Sequence, residues 1–235
     1  MNREISSVEV PWSNAQLPFE IALKQTLIFL NAYLALKHDN QLVVLATTSN
    51  GCYFLYPPVT DKTDQAAAVT TGDGPDQIPL AAMSIAQDGN LYQRFKLVDE
   101  EILTRVRAIL HQEKEAIQGP LTNSVKMTGA LSRALCYINR YSRGDTLSQT
   151  QPRILALSVS ADSSSQYIQI MNCIFACQKQ GIPFDVCKIL GADSTFLQQA
   201  ANITGGVYIK LNHPSGLLEY LMMTFLQDAY TRKFL

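Results

Sequence analysis

The chain has 235 residues, 47% of them hydrophobic, which is enough for one large α/β domain or two small ones with a substantial core. The net charge is −1 and no basic run occurs, so the composition gives no support for direct binding of nucleic acid, which normally needs a basic patch. The charged fraction of 17% lies below the figure of about a quarter typical of soluble domains, which suggests that a partner covers part of the surface.

The cysteines and the N-terminus indicate a cellular compartment. There are five cysteines, an odd number, and each lies in an apolar strand or helix context, which favours reduced core thiols in an intracellular protein. The N-terminus lacks the apolar region of a secretory signal. The longest apolar stretch, residues 26–36, contains Asn31 and is too short to span a bilayer. We therefore expect a soluble, intracellular protein.

The N-terminal third predicts strand, helix and hairpin. Alternating apolar residues in 5–10 predict a first strand, and Pro18 then favours the start of a helix that runs to about Lys37. This helix is apolar on nearly all sides, which predicts a buried helix. Residues 41–47 predict a buried strand, and Asn50-Gly51 predicts a hairpin into an antiparallel edge strand at 52–56.

The middle of the chain is mixed. Residues 57–89, rich in Pro, Gly and Thr, predict a long surface loop. An amphipathic helix is expected over 91–111, a polar loop over 113–124, and a second helix over 128–141 with Thr128 as its N-cap. No internal repeat or linker divides the chain, so we predict a single domain over residues 1–235, with 57–89 as a flexible loop.

The C-terminal third alternates strands and helices with short connections. Strands are predicted at 153–159, 183–189 and 207–211, and helices at 167–179, 194–203 and 214–226, with Gly205-Gly206 as a helix end and tight turn. Such alternation is typical of βαβ units, which build a mostly parallel sheet with helices on both faces. We predict a three-layer α/β fold whose ligand edge lies at the carboxyl ends of the strands.

In this order the elements resemble the von Willebrand factor A fold. Five stretches make the resemblance more specific, namely residues 30–36, 54–57, 129–140, 166–176 and 194–208. Together they are similar to the family of smaller A-domain core subunits of TFIIH, the general transcription and DNA repair factor. The similarity covers most of the chain from about Leu17 to Phe225, and the N-terminal strand and the 57–89 loop are its least matched parts.

The resemblance implies a nuclear, non-catalytic scaffold. Its implied partner is the larger TFIIH core subunit, which also carries an A-domain and zinc-binding C-terminal modules, and through it the rest of the TFIIH core. That assembly serves transcription initiation by RNA polymerase II and nucleotide excision repair. Family members carry a zinc-binding module after the A-domain, and no clustered cysteines follow Cys187, so the chain is expected to be the A-domain alone without a cofactor.

A metal-dependent A-domain is the alternative function. Many A-domains hold Mg²⁺ with an Asp-x-Ser-x-Ser motif after the first strand, a Thr before a middle helix and an Asp after a later strand. Here Pro11-Trp12-Ser13 follows the first predicted strand, and only Thr128 and Asp162 occupy plausible ligand positions. Because hard cations need several converging oxygen ligands, we expect no functional metal site, with Thr128 as an N-cap and Asp162 as a turn residue.

Catalysis and zinc binding find little support in the residues. Cys173 and Cys177 share one helix face, but a structural zinc site needs four ligands and no second suitable pair exists, so a packing pair is favoured. The three histidines have capping or turn explanations, and neither a nucleophile elbow nor a phosphate-binding glycine loop is present. We predict that the chain is not an enzyme; a doubly wound enzyme would need a catalytic constellation at the strand ends.

The helix over 128–141 is the predicted partner surface. Its small residues Gly129 and Ala130 would permit close approach of a partner, and arginines such as Arg133 and Arg140 are favoured at interface hot spots. The last predicted helix, 214–226, has a density of large apolar residues that exceeds one core-facing stripe. Full burial against the sheet and neighbouring helices is favoured, and a partner surface on one side is the alternative.

Overall fold

The computed structural model describes residues 17–58, 91–116, 125–144, 151–227 and 231. The predicted strand at 5–10 and nearly all of the predicted 57–89 loop lie outside these residues. The helices are α1 (Phe19–Leu36), α2 (Leu91–Ala116), α3 (Met127–Gly144), α4 (Tyr167–Gln180), α5 (Thr195–Thr204) and α6 (Leu217–Tyr220). The strands are β1 (Val44–Thr47), β2 (Cys52–Tyr56), β3 (Ile154–Ser158), β4 (Phe184–Lys188) and β5 (Tyr208–Lys210).

Strands β3, β4 and β5 form a parallel sheet in that order, with Ser158 opposite Lys188 and Val186 opposite Tyr208. Strands β1 and β2 pair antiparallel across the Asn50-Gly51 turn, as the sequence predicts. Among the described residues, however, this hairpin is a separate two-stranded sheet, so its predicted place at the edge of the parallel sheet is not seen there.

Helices cover both faces of the parallel sheet, and the predicted three-layer α/β fold is confirmed. Alternate strand residues, such as Ile154, Phe184 and Val186, pack against α3, α4 and α5. Their neighbours in sequence, such as Leu155 and Cys187, pack on the other face against α1 and α6. This alternation follows from the two-residue period of a strand, which sends successive side chains to opposite faces.

Helix α1 is not buried on all sides, so that prediction is wrong. Its residues Leu27, Phe29 and Leu34 are buried, whereas Phe19, Ile21, Ile28 and Leu36 are exposed. By length and composition α1 is the one described helix that could cross a membrane, a test that core helices of soluble proteins and signal sequences also pass. Its contacts are those of a core helix: Leu27 and Leu34 pack with apolar residues of α2 and the β1–β2 hairpin, and Phe29 packs with those of α6 and the parallel sheet.

Two helix ends also differ from the predictions. Helix α2 continues through Ala116, so residues 113–116 of the predicted loop are helical, and the rest of that loop up to residue 124 lies outside the described residues. The last predicted helix divides into a 3-10 turn (Pro214–Gly216), the short α6 and a π-helical turn (Leu221–Phe225). In that turn Leu221 and Phe225 are fully buried, while Met223 is exposed.

The predicted Gly205-Gly206 turn is confirmed. Gly205 ends α5 in the left-handed conformation with φ 70°, which glycine adopts without steric cost. Gly206 lies against β4, and a Cβ there would stand 2.1 Å from the carbonyl oxygen of Phe184. Only glycine therefore lets the chain pass so close to the central strand.

Candidate interaction site at the carboxyl edge of the sheet

The carboxyl ends of β3 and β4 meet at one edge, where Lys188 holds the loop that follows β3. The Lys188 side chain is fully buried, and its Nζ donates a hydrogen bond to the carbonyl of Ser160. Burial lowers the pKa of Lys188, an effect that the nearby Asp162 carboxylate opposes. The presence of the charged Lys188 within the apolar strand 183–189 is a sequence signal that this side chain makes a polar contact.

Asp162 connects this loop to the start of α5. Its carboxylate accepts hydrogen bonds from the hydroxyl of Ser194 and, at 3.2 Å, from the backbone N–H of Phe196. Ser194 is the N-cap of α5, and its Oγ accepts from the N–H of Leu197 at 3.2 Å. A negative charge is favourable at a helix N-terminus, so Asp162 and Ser194 together stabilise that end of α5.

Thr128 is not an N-cap, since α3 begins at Met127. Its Oγ1 instead donates a hydrogen bond of 3.1 Å to the side-chain oxygen of Gln166, and the amide nitrogen of Gln166 donates to the carbonyl of Val125 at 2.9 Å. Gln166, next to the first residue of α4, thus holds the entry to α3. No local pattern in the sequence indicates this role, because the contact joins residues 38 positions apart.

The two metal-ligand candidates therefore both have structural tasks. Thr128 binds Gln166, and the Asp162 carboxylate accepts from Ser194 and Phe196. In the part of the chain that the structure describes, no group of three or more His, Cys, Asp or Glu side chains could hold a metal ion. The expectation of no metal site in the whole chain stays a prediction.

A small cavity lies between the loop after β3 and the starts of α3, α4 and α5. Its volume is about 30 Å³, and its walls include Asp162, Gln166 and Phe196. Ser158 also lines it; this residue is 3% exposed, and its hydroxyl has no hydrogen-bond partner among the residues that the structure describes. Because a buried hydroxyl without a partner is unfavourable, the cavity is suited to a group that can hydrogen-bond to Ser158.

The cysteine pair on α4 is placed as a packing pair. Cys177 is fully buried beside Leu135 and Ile182, and Cys173 packs at the border of the same cluster. Burial raises the pKa of Cys177 to about 11 and also raises the pKa of Cys173. Both thiols are therefore protonated at neutral pH, whereas metal binding and nucleophilic attack use the thiolate.

The four predicted partner-binding residues lie on α3 but not on one exposed face. Ala130 is buried, and a Cβ at Gly129 would stand 3.9 Å from the Cβ of Cys52 on β2. Arg133 is exposed yet donates to the carbonyl of Cys52, and Arg140 is exposed. The binding role of these residues stays a prediction.

Comparisons with known proteins agree with one another. A family model described as transcription factor Tfb4 matches residues 5–235. The tfb4 subunit of the general transcription and DNA repair factor IIH from Schizosaccharomyces pombe is 37% identical over 220 residues, which cover 94% of this chain and 66% of that protein. The Arabidopsis thaliana TFB4 subunit is 36% identical, with coverages of 95% and 68%.

Two further comparisons bear on chain length and fold. The general transcription factor IIH subunit 3 of Dictyostelium discoideum is 36% identical over 94% of this chain, which spans 56% of that protein. The crystal structure of the TFIIH p34 N-terminal domain superposes with a TM-score of 0.66 at 30% identity, covering 88% of this chain and 87% of that domain. The chain thus spans about two thirds or less of the first two relatives and nearly all of the solved domain.

Proposed function

Because the chain belongs to the transcription factor Tfb4 family, we propose that it acts in the nucleus as a subunit of TFIIH, in transcription initiation by RNA polymerase II and in nucleotide excision repair. The match runs over residues 5–235, so it rests on the whole domain and not on a short motif. Relatives from fission yeast, plant and slime mould carry names of TFIIH subunits, which supports the same assembly here.

Within that assembly the chain serves as a scaffold and not as a catalyst. This proposal rests on the hydrogen bonding of the polar side chains at the carboxyl edge of the sheet, where a doubly wound enzyme would place its catalytic groups. There the side chains of Asp162, Ser194 and Gln166 hydrogen-bond to loops and helix ends of the same chain. An edge whose polar groups hold the fold together is suited to presenting a rigid surface.

The proposed direct partner is the larger A-domain core subunit, bound through its zinc-binding C-terminal module. Helix α3 contributes to this contact through its exposed arginines, Arg133 and Arg140, whereas Gly129 and Ala130 support the helix from its packed side. Arg140 gives the cleaner test, since Arg133 also donates to the carbonyl of Cys52 and its replacement would loosen the hairpin.

Calorimetric titration of this chain with the purified zinc-binding module of the larger subunit tests the proposal. We expect binding of the same strength with and without added Mg²⁺, and weaker binding for Arg140→Glu than for the matched control Arg107→Glu on the exposed side of α2. Binding that requires Mg²⁺ would restore the metal-dependent alternative. Absence of binding by the unsubstituted chain would refute the proposed partner.

A further inference from the structure

We propose that the exposed side of α4 and α5 is a second docking surface, which receives an uncharged, apolar segment of another TFIIH subunit. The surface, here called the α4–α5 surface, consists of Tyr167, Ile168, Phe175 and Phe196 together with the cavity beside Phe196. This inference rests on the proposed function, because it names a surface through which the scaffold binds.

Large apolar side chains are exposed on one side of α4. Ile168 is 73% exposed and Phe175 is 51% exposed. Residues seven apart lie two turns apart on the same side of a helix, so these two side chains form one strip with Asn172 between them.

An aromatic pair continues the strip from α4 to α5. Tyr167, at the start of α4, lies with its ring 4.7 Å from that of Phe196 at the start of α5. Phe196 in turn lines the cavity that contains the unpartnered Ser158 hydroxyl. The apolar strip therefore borders the cavity at which the buried Ser158 hydroxyl lies.

The charge pattern identifies the occupant. No Asp, Glu, Lys or Arg occurs in residues 163–178 or in residues 194–209, which include most of α4 and all of α5. Nucleic acid and anionic membranes both need basic side chains, which this surface lacks. Depletion of charge with exposed aromatic residues is instead typical of the centre of a protein–protein interface.

Helix α1 shows that exposed apolar residues alone do not make such a surface. Ile21 and Ile28 are exposed there as well, but the charged residues Glu20 and Lys24 lie among them. Exposed apolar residues that are scattered among charges are ordinary. Helix α1 thus supplies a matched control for the α4–α5 surface.

The Ser158 cavity specifies one polar feature of the occupant. Its volume of about 30 Å³ admits a small group, and its Asp162 carboxylate already accepts two hydrogen bonds. Ser158 presents a neutral hydroxyl without a partner among the described residues, so the group that enters is an uncharged donor or acceptor. We assign it to a side-chain hydroxyl or amide of the docking segment.

The test measures binding of this chain to a TFIIH core reconstituted from its other purified subunits. The variants are Ile168→Asp, Phe175→Asp and Ser158→Ala, and the control is Ile28→Asp on α1, where Ile28 is exposed to about the same extent as Phe175. Each variant is first checked for its fold by circular dichroism and thermal unfolding. Sedimentation of the chain alone reports whether a second copy occupies the surface.

We expect each aspartate on the α4–α5 surface to raise Kd about tenfold, because a charge would be buried in an apolar contact. Ser158→Ala should raise it roughly fivefold, which is the loss of one hydrogen bond, and Ile28→Asp should leave it unchanged.

A core that binds the unsubstituted chain and both aspartate variants equally would overturn the inference and leave the proposed function intact. A core that binds no version of the chain would overturn both. Self-association through α4 that Ile168→Asp abolishes would also overturn it, since a second copy would be the occupant.

Discussion

The parallel sheet and the hairpin differ in how they are held in place. In the central strand β4 all five residues are buried, whereas no residue of β1 is fully buried. The parallel sheet is stabilised by apolar packing on both faces. The hairpin packs against α2 on one side, and charged side chains from other elements bind its backbone and its connection to α1.

Arginines carry much of this second kind of contact. Arg94 of α2 donates to the carbonyls of His38 and Asn40, which lie between α1 and β1. Arg105 of α2 and Arg133 of α3 donate to carbonyls of β2. A short hairpin cannot bury enough apolar surface for its own stability, so these bonds position it. The parallel sheet and the hairpin should therefore respond differently to substitution.

The largest expected effect is in the central strand. Phe184→Ala removes a fully buried ring from the cluster under α4 and α5 and should lower the free energy of unfolding by about 4 kcal/mol. Urea denaturation measures this change. Phe175→Ala, which truncates an exposed ring, is the control and should cost less than about 1 kcal/mol. Equal effects of the two substitutions would contradict the packing described for β4.

Gly206→Ala should be nearly as severe. The new Cβ would stand 2.1 Å from the carbonyl oxygen of Phe184, and its three nearest neighbours are all backbone atoms of Phe184, so no flexible side chain can move aside. We expect a loss of about 3 kcal/mol in the free energy of unfolding. Gly181→Ala provides the comparison, because its surroundings are open and only the φ of 67° is unfavourable, at about 1 kcal/mol. A tolerated Gly206→Ala would refute the close approach.

A smaller, more local effect is expected at the hairpin. Arg94→Met keeps much of the side-chain volume but leaves the carbonyls of His38 and Asn40 without their donor, at a cost of roughly 2 kcal/mol. Relative to the unsubstituted chain, Arg94→Met should accelerate hydrogen exchange more in β1 and β2 than in β4. The control Arg107→Met, on the exposed side of α2, should change neither the free energy of unfolding nor the exchange rates. Uniformly faster exchange in both sheets would mean that the two regions do not differ as described.

The smallest effect should appear as a pH dependence. Burial lowers the pKa of Lys188 in the folded chain below its ordinary value of 10.5. At a pH between the folded-state pKa and 10.5, the unfolded chain binds more protons than the folded chain, so stability rises with pH. Asp162 and Asp193 oppose the shift, and Lys210 adds to it. Relative to Lys188→Met, the unsubstituted chain should therefore gain stability as the pH approaches 10.5. A difference between the two proteins that stays constant over this range would contradict a lowered pKa.

Prediction from sequence succeeded where a local pattern decides the structure. Strand β2, helix α4 and the Gly205-Gly206 turn lie where the Asn50-Gly51 hairpin signal, helical composition and the glycine pair predict them. It failed where a neighbour decides. Thr128 is a residue type favoured at N-caps, yet its hydroxyl donates to the side chain of Gln166, and no spacing rule connects these two residues.

The sequence by itself determined the order of the elements, the three-layer class and the family, because hydrophobic period and turn residues act over short stretches of chain. Only the tertiary structure decided which side of α1 is exposed and that Asp162 stabilises α5. It also showed that the Ser158 hydroxyl lies buried at a cavity beside exposed apolar side chains of α4. The physical reason is that burial and hydrogen bonding at these positions depend on segments that are distant in the chain and meet only in the folded protein.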